Sequence, residues 1–374
     1  MIKNIAILSI SHSFLRKINT RMHSILKNKY NLNVKLICPQ SHIELKKTVY
    51  PDFKPNEIDI NISFQKTIFN HLRLKIYKNL FYTIKKEKIT HIFLDMDIIS
   101  LQSIILIFYS YFFRYKVCFF SNENNIVNEK SILKKKIKTY SFKIINFFFN
   151  SRILKIFCYT NQIKRNLDYC GFQKKTIVTP LGFDKRKFNR QPNLKDEEKF
   201  VISYFGKIEP KKGIHTLLKA LLLLNMKDWI FYLDVFDIHS LDYYRLIKKD
   251  LSLLKKNNKL KLIKCSHNNI NKFMQNTDLS IVPSEWNEQY GRVIQESIAC
   301  GSIVIGSNIG AIPEILMDND FIFETKNEIL LKNKIEEVYF NYDYYRKKFN
   351  IVEKFVNTNR TIEAQAELIK KNIL

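Results

Sequence analysis

The sequence has 374 residues and lacks close cysteine pairs. None of its cysteines has a neighbour at the spacing of a zinc-ligand pair or a redox loop. The six cysteines are Cys38, Cys118, Cys158, Cys170, Cys265 and Cys300. We therefore predict free, buried thiols in a reducing compartment, which favours a cytoplasmic protein.

The sequence also lacks a hydrophobic run long enough to span a membrane. The longest uncharged stretch, Ile98 to Phe113, has 16 residues and includes three serines and a glutamine. A spanning helix needs about 20 predominantly apolar residues. The first eleven residues, MIKNIAILSIS, contain no small-residue cleavage site and predict a first strand rather than a signal peptide. These features predict a soluble or peripheral protein.

Acidic residues are scarce in the first half of the chain. Residues 1–190 contain 35 Lys and Arg against 11 Asp and Glu, whereas residues 191–374 contain 27 against 24. The formal charge of +27 is thus divided into +24 and +3. Because a uniformly basic composition cannot produce this asymmetry, we expect the two halves to bind different partners, and the partner of the first half to be anionic.

Short β-branched runs alternate with longer helical patterns, which predicts parallel sheets covered by helices. The predicted fold class is α/β, with two Rossmann-like doubly wound domains facing a central cleft. The polar stretch 184–199 predicts a linker between them. The predicted domains are residues 1–190 and 191–350, and a C-terminal helix over 351–374 is expected to pack back on the first domain. The predicted strands of the second domain are 200–205, 230–235, 260–263, 279–282 and 303–305.

Ligands of open α/β sheets bind at the carboxyl ends of the strands. After the predicted strand 200–205 comes GKIEPKKG, residues 206–213, which combines glycines, three lysines and the start of a helix. Fixed cations and amide donors at a helix N-terminus stabilise the negative charge of a departing diphosphate. A solvated charged turn explains the same segment equally well.

A second segment follows the predicted strand 279–282. It reads PSEWNEQYGRVIQE over residues 283–296. Its two acids Glu288 and Glu296 are eight residues apart, about two helical turns, which predicts both carboxylates on one side of the helix after the strand. Each could hold a pair of hydroxyls, as a sugar and a ribose would require.

These residues resemble the retaining GT-B glycosyltransferases of family 4. That family has Glu-x7-Glu in the frame Pro-Ser-x-Trp-x-Glu-x-Phe-Gly, followed by Glu-Ala-x-Ala-Cys-Gly and Gly-Gly-x-Pro-Glu. This chain has Tyr290 in place of Phe, Ser297 in place of Ala and Ala311 in place of the second Gly. The resemblance is continuous over residues 156–316, and it implies that the second domain binds a nucleotide-sugar donor.

The resemblance implies that lysines of the 206–213 segment bind the donor diphosphate. Lys207 and Lys212 are the candidates, and Gly206 would let the backbone approach the ligand. Lys207 stands where the family has Arg, which keeps the charge but loses bidentate geometry. Because lysines supply the charge, no metal ion or other cofactor is expected beside a UDP- or GDP-type sugar. Asp95-Met96-Asp97 is a weak metal candidate in the first domain.

The resemblance also implies roles for the 283–296 segment. Glu288 would bind hydroxyls of the donor sugar, and Glu296 would bind the ribose. The backbone amides at the helix start would face sugar and phosphate, and they belong to Tyr290, Gly291 and Arg292. The side chains of Glu285 and Arg292 are expected to be surface charges.

The first half departs from the family pattern. The glycine pair expected after the first strand is absent, and Arg16 or Lys17 could replace it unless the segment is a plain helix surface. The family's acceptor-domain histidine has no counterpart. Glu123 is the candidate for a polar group near the reacting centre, and His12 is a weaker one because a lone histidine is more often structural.

The segment 129–150 explains part of the basic charge. As a helix it places one set of apolar residues on a single face and lysines elsewhere. That apolar set is Leu133, Ile137, Tyr140, Ile144 and Phe148. A basic amphipathic helix with aromatics is typical of proteins on anionic membranes, where each cation contributes about 1 kcal/mol. The alternative is an ordinary helix packed on the first sheet with solvated lysines.

The expected activity is a metal-independent hexosyltransferase that transfers a sugar, with retention, to a glycan or lipid-linked acceptor. The expected setting is bacterial cell-surface polysaccharide biosynthesis (lipopolysaccharide, capsule or exopolysaccharide) on the inner face of the plasma membrane. A nucleotide-sugar epimerase-like GT-B enzyme remains an alternative. A basic nucleic-acid-binding protein is a second one, although no recognition module is present.

Overall fold

The chain forms two compact units. The computed structural model describes residues 5–44, 47–69, 74–123, 126, 131–191, 197–236, 238, 240–266 and 269–374. Unit 1 comprises Met1–Gly182 and Ile362–Leu374, and unit 2 comprises Phe183–Thr361. The division at Gly182 lies before the predicted linker, 184–199. Phe188 of that stretch is only 1% exposed in the core of unit 2, so its first part is packed structure, while residues 192–196 lie outside the described residues.

Unit 1 contains a parallel sheet of seven strands and two short antiparallel hairpins. Its strands are β1 (Ala6–Ile10), β2 (Asn33–Pro39), β3 (His42–Glu44), β4 (Lys47–Val49), β5 (Asn61–Gln65), β6 (Thr67–Ile68), β7 (Ile76–Tyr77), β8 (His91–Leu94), β9 (Lys116–Ser121), β10 (Ile153–Cys158) and β11 (Thr176–Val178). The parallel sheet has the order β11-β10-β9-β8-β1-β2-β5. Alternate residues of β1 join different cores, Ile7 on one face and Leu8 on the other, so both faces are covered.

The helices of unit 1 begin after polar residues that favour helix starts. Ser100, Ser131 and Thr160 each accept a hydrogen bond from a backbone amide of the helix that they precede. The helices are α1 (Arg21–Asn28), α2 (Leu80–Lys86), α3 (Leu101–Phe113), α4 (Ile132–Phe149) and α5 (Asn161–Tyr169). In the described ranges, no helix combines the length and apolar character needed to cross a bilayer.

Unit 2 contains a parallel sheet of six strands. They are β12 (Phe200–Tyr204), β13 (Trp229–Asp234), β14 (Leu260–Ile263), β15 (Leu279–Val282), β16 (Ile303–Ser307) and β17 (Ile322–Phe323). Its helices are α6 (Ile214–Leu222), α7 (Leu241–Lys256), α8 (Ile270–Gln275), α9 (Arg292–Ala299), α10 (Ile312–Leu316), α11 (Glu328–Phe340) and α12 (Tyr342–Asn359). The strand order is β14-β13-β12-β15-β16-β17. The predicted strands of this series are confirmed to within a few residues.

Both units therefore have the doubly wound strand order, which confirms the predicted α/β class with two Rossmann-like domains. In each sheet the order reverses between two central strands, β1 and β8 in unit 1 and β12 and β15 in unit 2. Ligands of such sheets bind beyond the carboxyl ends of the strands at this switch point. A ligand site is therefore expected in the loops after these four strands.

The chain leaves unit 2 and returns to unit 1 at its end. The single helix predicted over 351–374 is instead two helices, because α12 ends at Asn359 and α13 (Ile362–Ile373) begins after Arg360 and Thr361. Helix α13 belongs to unit 1 and packs against α1 there. Its buried residues join the core that contains Leu26.

Candidate functional site

The loop after β12 and the loop after β15 form one structure at the switch point of unit 2. Gly213 precedes α6 with a φ of +68°, a left-handed conformation that favours glycine. A Cβ on Gly213 would lie 1.9 Å from the carbonyl oxygen of Pro283. The amide of Glu285 donates a hydrogen bond to the carbonyl oxygen of Lys211 over 2.9 Å. The two predicted site segments are thus held together by their backbones.

Glu288 lies at the centre of this structure, with 6% of its surface exposed. Ser284 Oγ donates a hydrogen bond to Glu288 Oε1 over 2.8 Å, and Lys212 Nζ forms an ion pair with the same oxygen. Lys212 and Glu288, 76 residues apart in the chain, are therefore in direct contact. A buried carboxylate with a cation and a hydroxyl on one oxygen is a strongly polarised group that can orient ligand hydroxyls.

The segment after β16 fixes the backbone of Glu288. Ala311 donates its amide to the carbonyl oxygen of Glu288 over 3.0 Å. Gly310 has a φ of +63°, and a Cβ there would lie 2.4 Å from the amide nitrogen of Glu288. The segment after β16 thus packs directly on the backbone of Glu288, because only glycine at position 310 permits this close approach.

Trp286 lies beside the lysines of the 206–213 segment. The ring centroid is 4.4 Å from Lys211 Nζ and 5.5 Å from Lys212 Nζ. An indole face attracts ammonium groups by about 0.5–2 kcal/mol, so Trp286 restricts where these cations lie. The backbone of Lys207 is fixed by the Tyr204 hydroxyl, which donates a hydrogen bond to the Lys207 carbonyl oxygen over 2.9 Å.

Glu285 is not the surface charge that was expected. Its side chain is 11% exposed, and its Oε1 lies 3.0 Å from His215 Nε2. The same oxygen accepts a hydrogen bond from Thr216 Oγ1 over 2.7 Å. His215 Nδ1 lies 2.7 Å from the Tyr243 hydroxyl. Because these partners sit at the start of α6, Glu285 ties that helix to the loop after β15.

The helix after β15 begins later than predicted. Helix α9 starts at Arg292, so Glu288 lies in the preceding loop and the two glutamates are not on one helix. The reason is Gly291, whose φ of +68° interrupts helical geometry. At each of the two loops of the switch point, a helix begins directly after a glycine: α6 after Gly213 and α9 after Gly291. The first amides of a helix have no partner within it and can bind an anion.

Glu296 lies inside α9 and is 8% exposed. Burial raises the pKa of its carboxyl to about 7, and the charges of Arg292 and Lys187 oppose that shift. A ligand hydroxyl that donates to this carboxylate would favour the ionised form. The residue is thus a buried acid poised to change its protonation state near neutral pH.

Tyr290, which replaces the Phe of the family frame, has a buried hydroxyl. The hydroxyl donates to Gln295 Oε1 over 2.6 Å. Burial raises the pKa of Tyr290 to about 12, so the phenol remains protonated at neutral pH. The extra oxygen is therefore hydrogen-bonded to a residue of α9, and the Tyr290 ring remains buried.

In unit 1, the candidate Glu123 is engaged in an ion pair. Its Oε1 lies 2.6 Å from Lys138 Nζ of α4, and both side chains are mostly buried. Asn166 Nδ2 donates to its carbonyl oxygen over 3.0 Å. The structure therefore places Glu123 between β9, α4 and α5. Its neighbours Asn124 and Asn125 lie outside the described residues.

The segment after β1 forms turns joined to the loop after β8. Ser11 Oγ and Ser13 Oγ donate to Asp95 Oδ2 over 2.8 and 2.9 Å, across the switch point of unit 1. Arg16 and Lys17 form exposed ion pairs with acidic residues of a neighbouring loop. In the described part of the chain, no three His, Cys, Asp or Glu side chains form a metal-ligand group.

Sequence reasoning missed several residues that hold the site together. They are His215, Thr216, Ser284 and Gly310. Ser284 and Gly310 lie inside the quoted motifs, so their position beside Glu288 was the available signal. His215 and Thr216 follow Gly213 directly, but nothing in the sequence indicates their contact with Glu285.

Part of the sequence is similar to known glycosyltransferases. Residues 185–351 match the family described as Glycosyl transferases group 1. The chain is 29% identical over 214 residues to an uncharacterized glycosyltransferase of Methanocaldococcus jannaschii, covering 55% of each chain. It is 28% identical over 207 residues to the capsular polysaccharide biosynthesis glycosyltransferase CapM of Staphylococcus aureus, covering 50% of this chain and 53% of CapM. The matches span about half the length of these relatives.

The similarity in fold extends over the whole chain. The crystal structure of Anabaena HepE in complex with UDP has a TM-score of 0.77, with 15% identity over 99% of both chains. At that identity the likeness shows the fold alone. Residues 185–351 are thus similar in sequence to the Glycosyl transferases group 1 family, and the whole chain has the GT-B architecture of two Rossmann-like domains.

Proposed function

We propose that the chain transfers a sugar from a nucleoside-diphosphate donor to an acceptor hydroxyl. The observation that carries this proposal is the contact of Lys212 with Glu288 at the switch point of unit 2. It lies beside two helix starts that are suited to an anion. A cation for a diphosphate and a buried acid for sugar hydroxyls are thus adjacent, as such a donor requires.

In this proposal, different residues of unit 2 bind the diphosphate, the sugar and the ribose of the donor. Lys207 and Lys212, with the backbone at Gly206 and the first amides of α6 and α9, hold the diphosphate. Glu288 accepts hydrogen bonds from the sugar hydroxyls, and Glu296 accepts them from the ribose. Trp286 keeps the ammonium of Lys212 near the diphosphate while Glu288 turns to the sugar.

The reaction is proposed to retain the anomeric configuration. The bond from the anomeric carbon to the diphosphate oxygen breaks, and the acceptor oxygen bonds to that carbon on the same face. The acceptor proton moves to the departing phosphate oxygen. Lys207 and Lys212 stabilise the negative charge that develops on the leaving group, which is the contribution asked of a metal ion in other transferases. The proposed enzyme is therefore metal-independent.

The test replaces Lys212 by Met and Glu288 by Gln and measures sugar transfer and donor binding with UDP- and GDP-sugars. Removing one stabiliser of a developing charge lowers kcat by about 100-fold or more. Lys219→Met, an exposed lysine on α6, serves as a control and is expected to keep full activity. Full activity in either site variant would contradict the assignment.

The acceptor is proposed to be a glycan or lipid-linked intermediate of a cell-surface polysaccharide, presented at the cytoplasmic face of the plasma membrane. Similarity to CapM supports the polysaccharide class. The exposed surface of unit 1 supports the proposal that this unit binds a membrane. The apolar face predicted for the 129–150 segment is exposed, with 68% of Leu133 and 63% of Phe148 accessible, while Phe142 and Ile145 face the core. The beginning of that segment, 129–130, lies outside the described residues.

A second row of aromatics extends this surface. Helix α3 exposes Phe108, Tyr109, Tyr111, Phe112 and Phe113. The Tyr111 hydroxyl donates to the carbonyl oxygen of Phe148, which joins α3 to α4. Lys134, Lys136 and Lys143 are exposed on α4 beside the apolar row. Exposed aromatics with lysines fit the interface of an anionic bilayer.

Vesicle flotation tests this membrane proposal. The chain is expected to float with phosphatidylglycerol-containing vesicles and to be lost from them when Phe112 and Phe147, 68% and 82% exposed, are replaced by Ser. Phe340→Ser removes a ring of unit 2 that is 64% exposed and serves as the control. Absence of flotation with both anionic and neutral lipid would overturn the proposal.

A further inference from the structure

Unit 1 contains a buried lysine that the proposed donor chemistry does not use. Lys75 is 6% exposed, and its Nζ lies 3.0 Å from Nδ1 of His42. The His42 ring packs on the His12 ring with a centroid distance of 4.5 Å. We call these three residues the Lys75 cluster. It brings three nitrogen-bearing side chains to one place.

The three residues of the cluster lie in the segments that follow three neighbouring strands of the sheet. His12 follows β1 and His42 follows β2. Lys75 directly precedes β7, the second strand of the β6–β7 hairpin that follows β5. Strands β1, β2 and β5 are adjacent and parallel, so their carboxyl ends lie at one edge of the sheet. Ligands of such sheets bind at this edge. The cluster is therefore placed where unit 1 would bind its substrate.

The charge of Lys75 lacks a counter-ion in the part of the chain that the structure describes. Among the described residues, the Lys75 ammonium contacts the imidazole of His42, and no carboxylate of those residues lies within ion-pair distance of its Nζ. Asp95, on the far side of His12 in the sheet order, is held by Ser11 and Ser13. The nearby thiol of Cys38 has a pKa that burial raises, so it supplies no negative charge near neutral pH. A buried ammonium without an anion is costly, and an oxyanion would remove that cost.

The charge of the whole unit favours the same class of ligand. Unit 1 contains 33 Lys and Arg against 12 Asp and Glu, a net charge of +21, whereas unit 2 carries +6. A field of that sign draws anions to unit 1. Because unit 2 is the proposed site of the donor diphosphate, the anion of unit 1 would belong to the other substrate.

We propose that the Lys75 cluster binds an oxyanion of the acceptor, a phosphate or a carboxylate, through Lys75 Nζ and the imidazoles of His42 and His12. The binding site rests on the contacts of unit 1, and only its assignment to the acceptor rests on the proposed glycosyl transfer. The bound anion would anchor the acceptor so that its hydroxyl is held for reaction. Acceptors without an anionic group would then be poor substrates.

The test measures binding of inorganic phosphate, and in a second arm acetate, to the full chain by titration calorimetry. All variants carry Lys212→Met, which removes the proposed donor diphosphate site. Lys75→Met is expected to weaken binding of the preferred anion about tenfold or more, the loss of one charge-assisted contact. Lys78→Met, an exposed lysine of the same hairpin, is expected to leave it unchanged. Stronger binding of phosphate or of acetate identifies the class of oxyanion.

A second measurement does not depend on the folding of the Lys75 variant. The ring resonances of His12 and His42 in the Lys212→Met chain are expected to shift when the preferred anion is added. Binding that is equal in the Lys75 and Lys78 variants, or histidine resonances that do not move, would overturn the inference. Failure of sugar transfer with intact Lys75-dependent anion binding would instead refute the proposed function and leave the site standing.

Discussion

Glu296 makes the stability of unit 2 depend on pH. Burial raises its pKa from 4.5 to about 7, so the folded chain holds an extra proton between those pH values. Stability from this residue is therefore present below about pH 4.5 and falls as the pH rises to about 7. Glu296→Gln removes the buried charge and is expected to raise the free energy of unfolding at pH 8, by up to about 3 kcal/mol. Urea unfolding at pH 5 and pH 8 measures the difference.

The control for Glu296→Gln is the same substitution at an exposed glutamate. Glu367→Gln, an exposed acid on α13, is expected to change stability by no more than about 0.5 kcal/mol at either pH. A Glu296→Gln variant that gains equal stability at pH 5 and pH 8 would show that protonation is not the cause. The same variant is expected to lose affinity for the donor nucleotide if Glu296 binds the ribose.

Individual residue types were predictable at the site, but their contacts were not. The motifs pointed to Lys212 and to Glu288, because each stands in a recognisable frame. Their ion pair depends on the distance between two loops 76 residues apart, and no spacing in the sequence reports such a distance. For the same reason Glu285 was expected at the surface, although His215 and Thr216 enclose it.

At the scale of elements, Gly213 joins the two loops of the switch point. Gly213→Ala places a Cβ in a left-handed conformation and against the Pro283 carbonyl. The strain and the clash are expected to lower stability by about 1–3 kcal/mol and to separate Lys212 from Glu288. Donor affinity is therefore expected to fall more than stability alone explains. Thermal unfolding and nucleotide-sugar titration measure the two effects.

Gly171→Ala is the matched substitution in unit 1. Gly171 also has a positive φ, +98°, and its added Cβ would meet the amide of Asn146. It is expected to lower stability by a similar amount and to leave donor affinity unchanged. Equal loss of donor affinity in both variants would show that general destabilisation, rather than the loop contact, governs binding.

The strands of unit 2 were predictable because a strand buried on both faces is apolar throughout. The start of α9 was not, since the residues before Gly291 continue a pattern that is compatible with a helix. The left-handed φ of Gly291 sets the start of α9. Because glycine adopts many conformations, the sequence does not report this φ. Helix α4 was predictable in its periodicity, but which of its two faces meets the core depends on the sheet beneath it.

At the scale of the whole molecule, the end of the chain completes unit 1. Helix α13 buries Ile362, Ala366 and Ile369 against α1. Deleting residues 362–374 is expected to destabilise unit 1 by several kcal/mol, since each large aliphatic side chain lost from a core costs about 2–5 kcal/mol. Hydrogen exchange is expected to rise in α1 and β1 and to stay unchanged in α9.

Deletion of Leu374 alone is the control for this truncation, because that residue is 61% exposed. It is expected to leave exchange in both units unchanged. Equal loss of protection in the two units after the larger deletion would contradict the view that α13 stabilises unit 1 in particular.

The scattered cysteines have a practical consequence for studying this chain. All six are free and buried, four of them in unit 1 and two in unit 2, and burial raises the pKa of every one. Thiol reagents attack the ionised form, so the folded chain offers them almost no target. A single cysteine introduced on the exposed apolar face of α4 would therefore be the one thiol that a fluorophore labels, without prior removal of the native thiols.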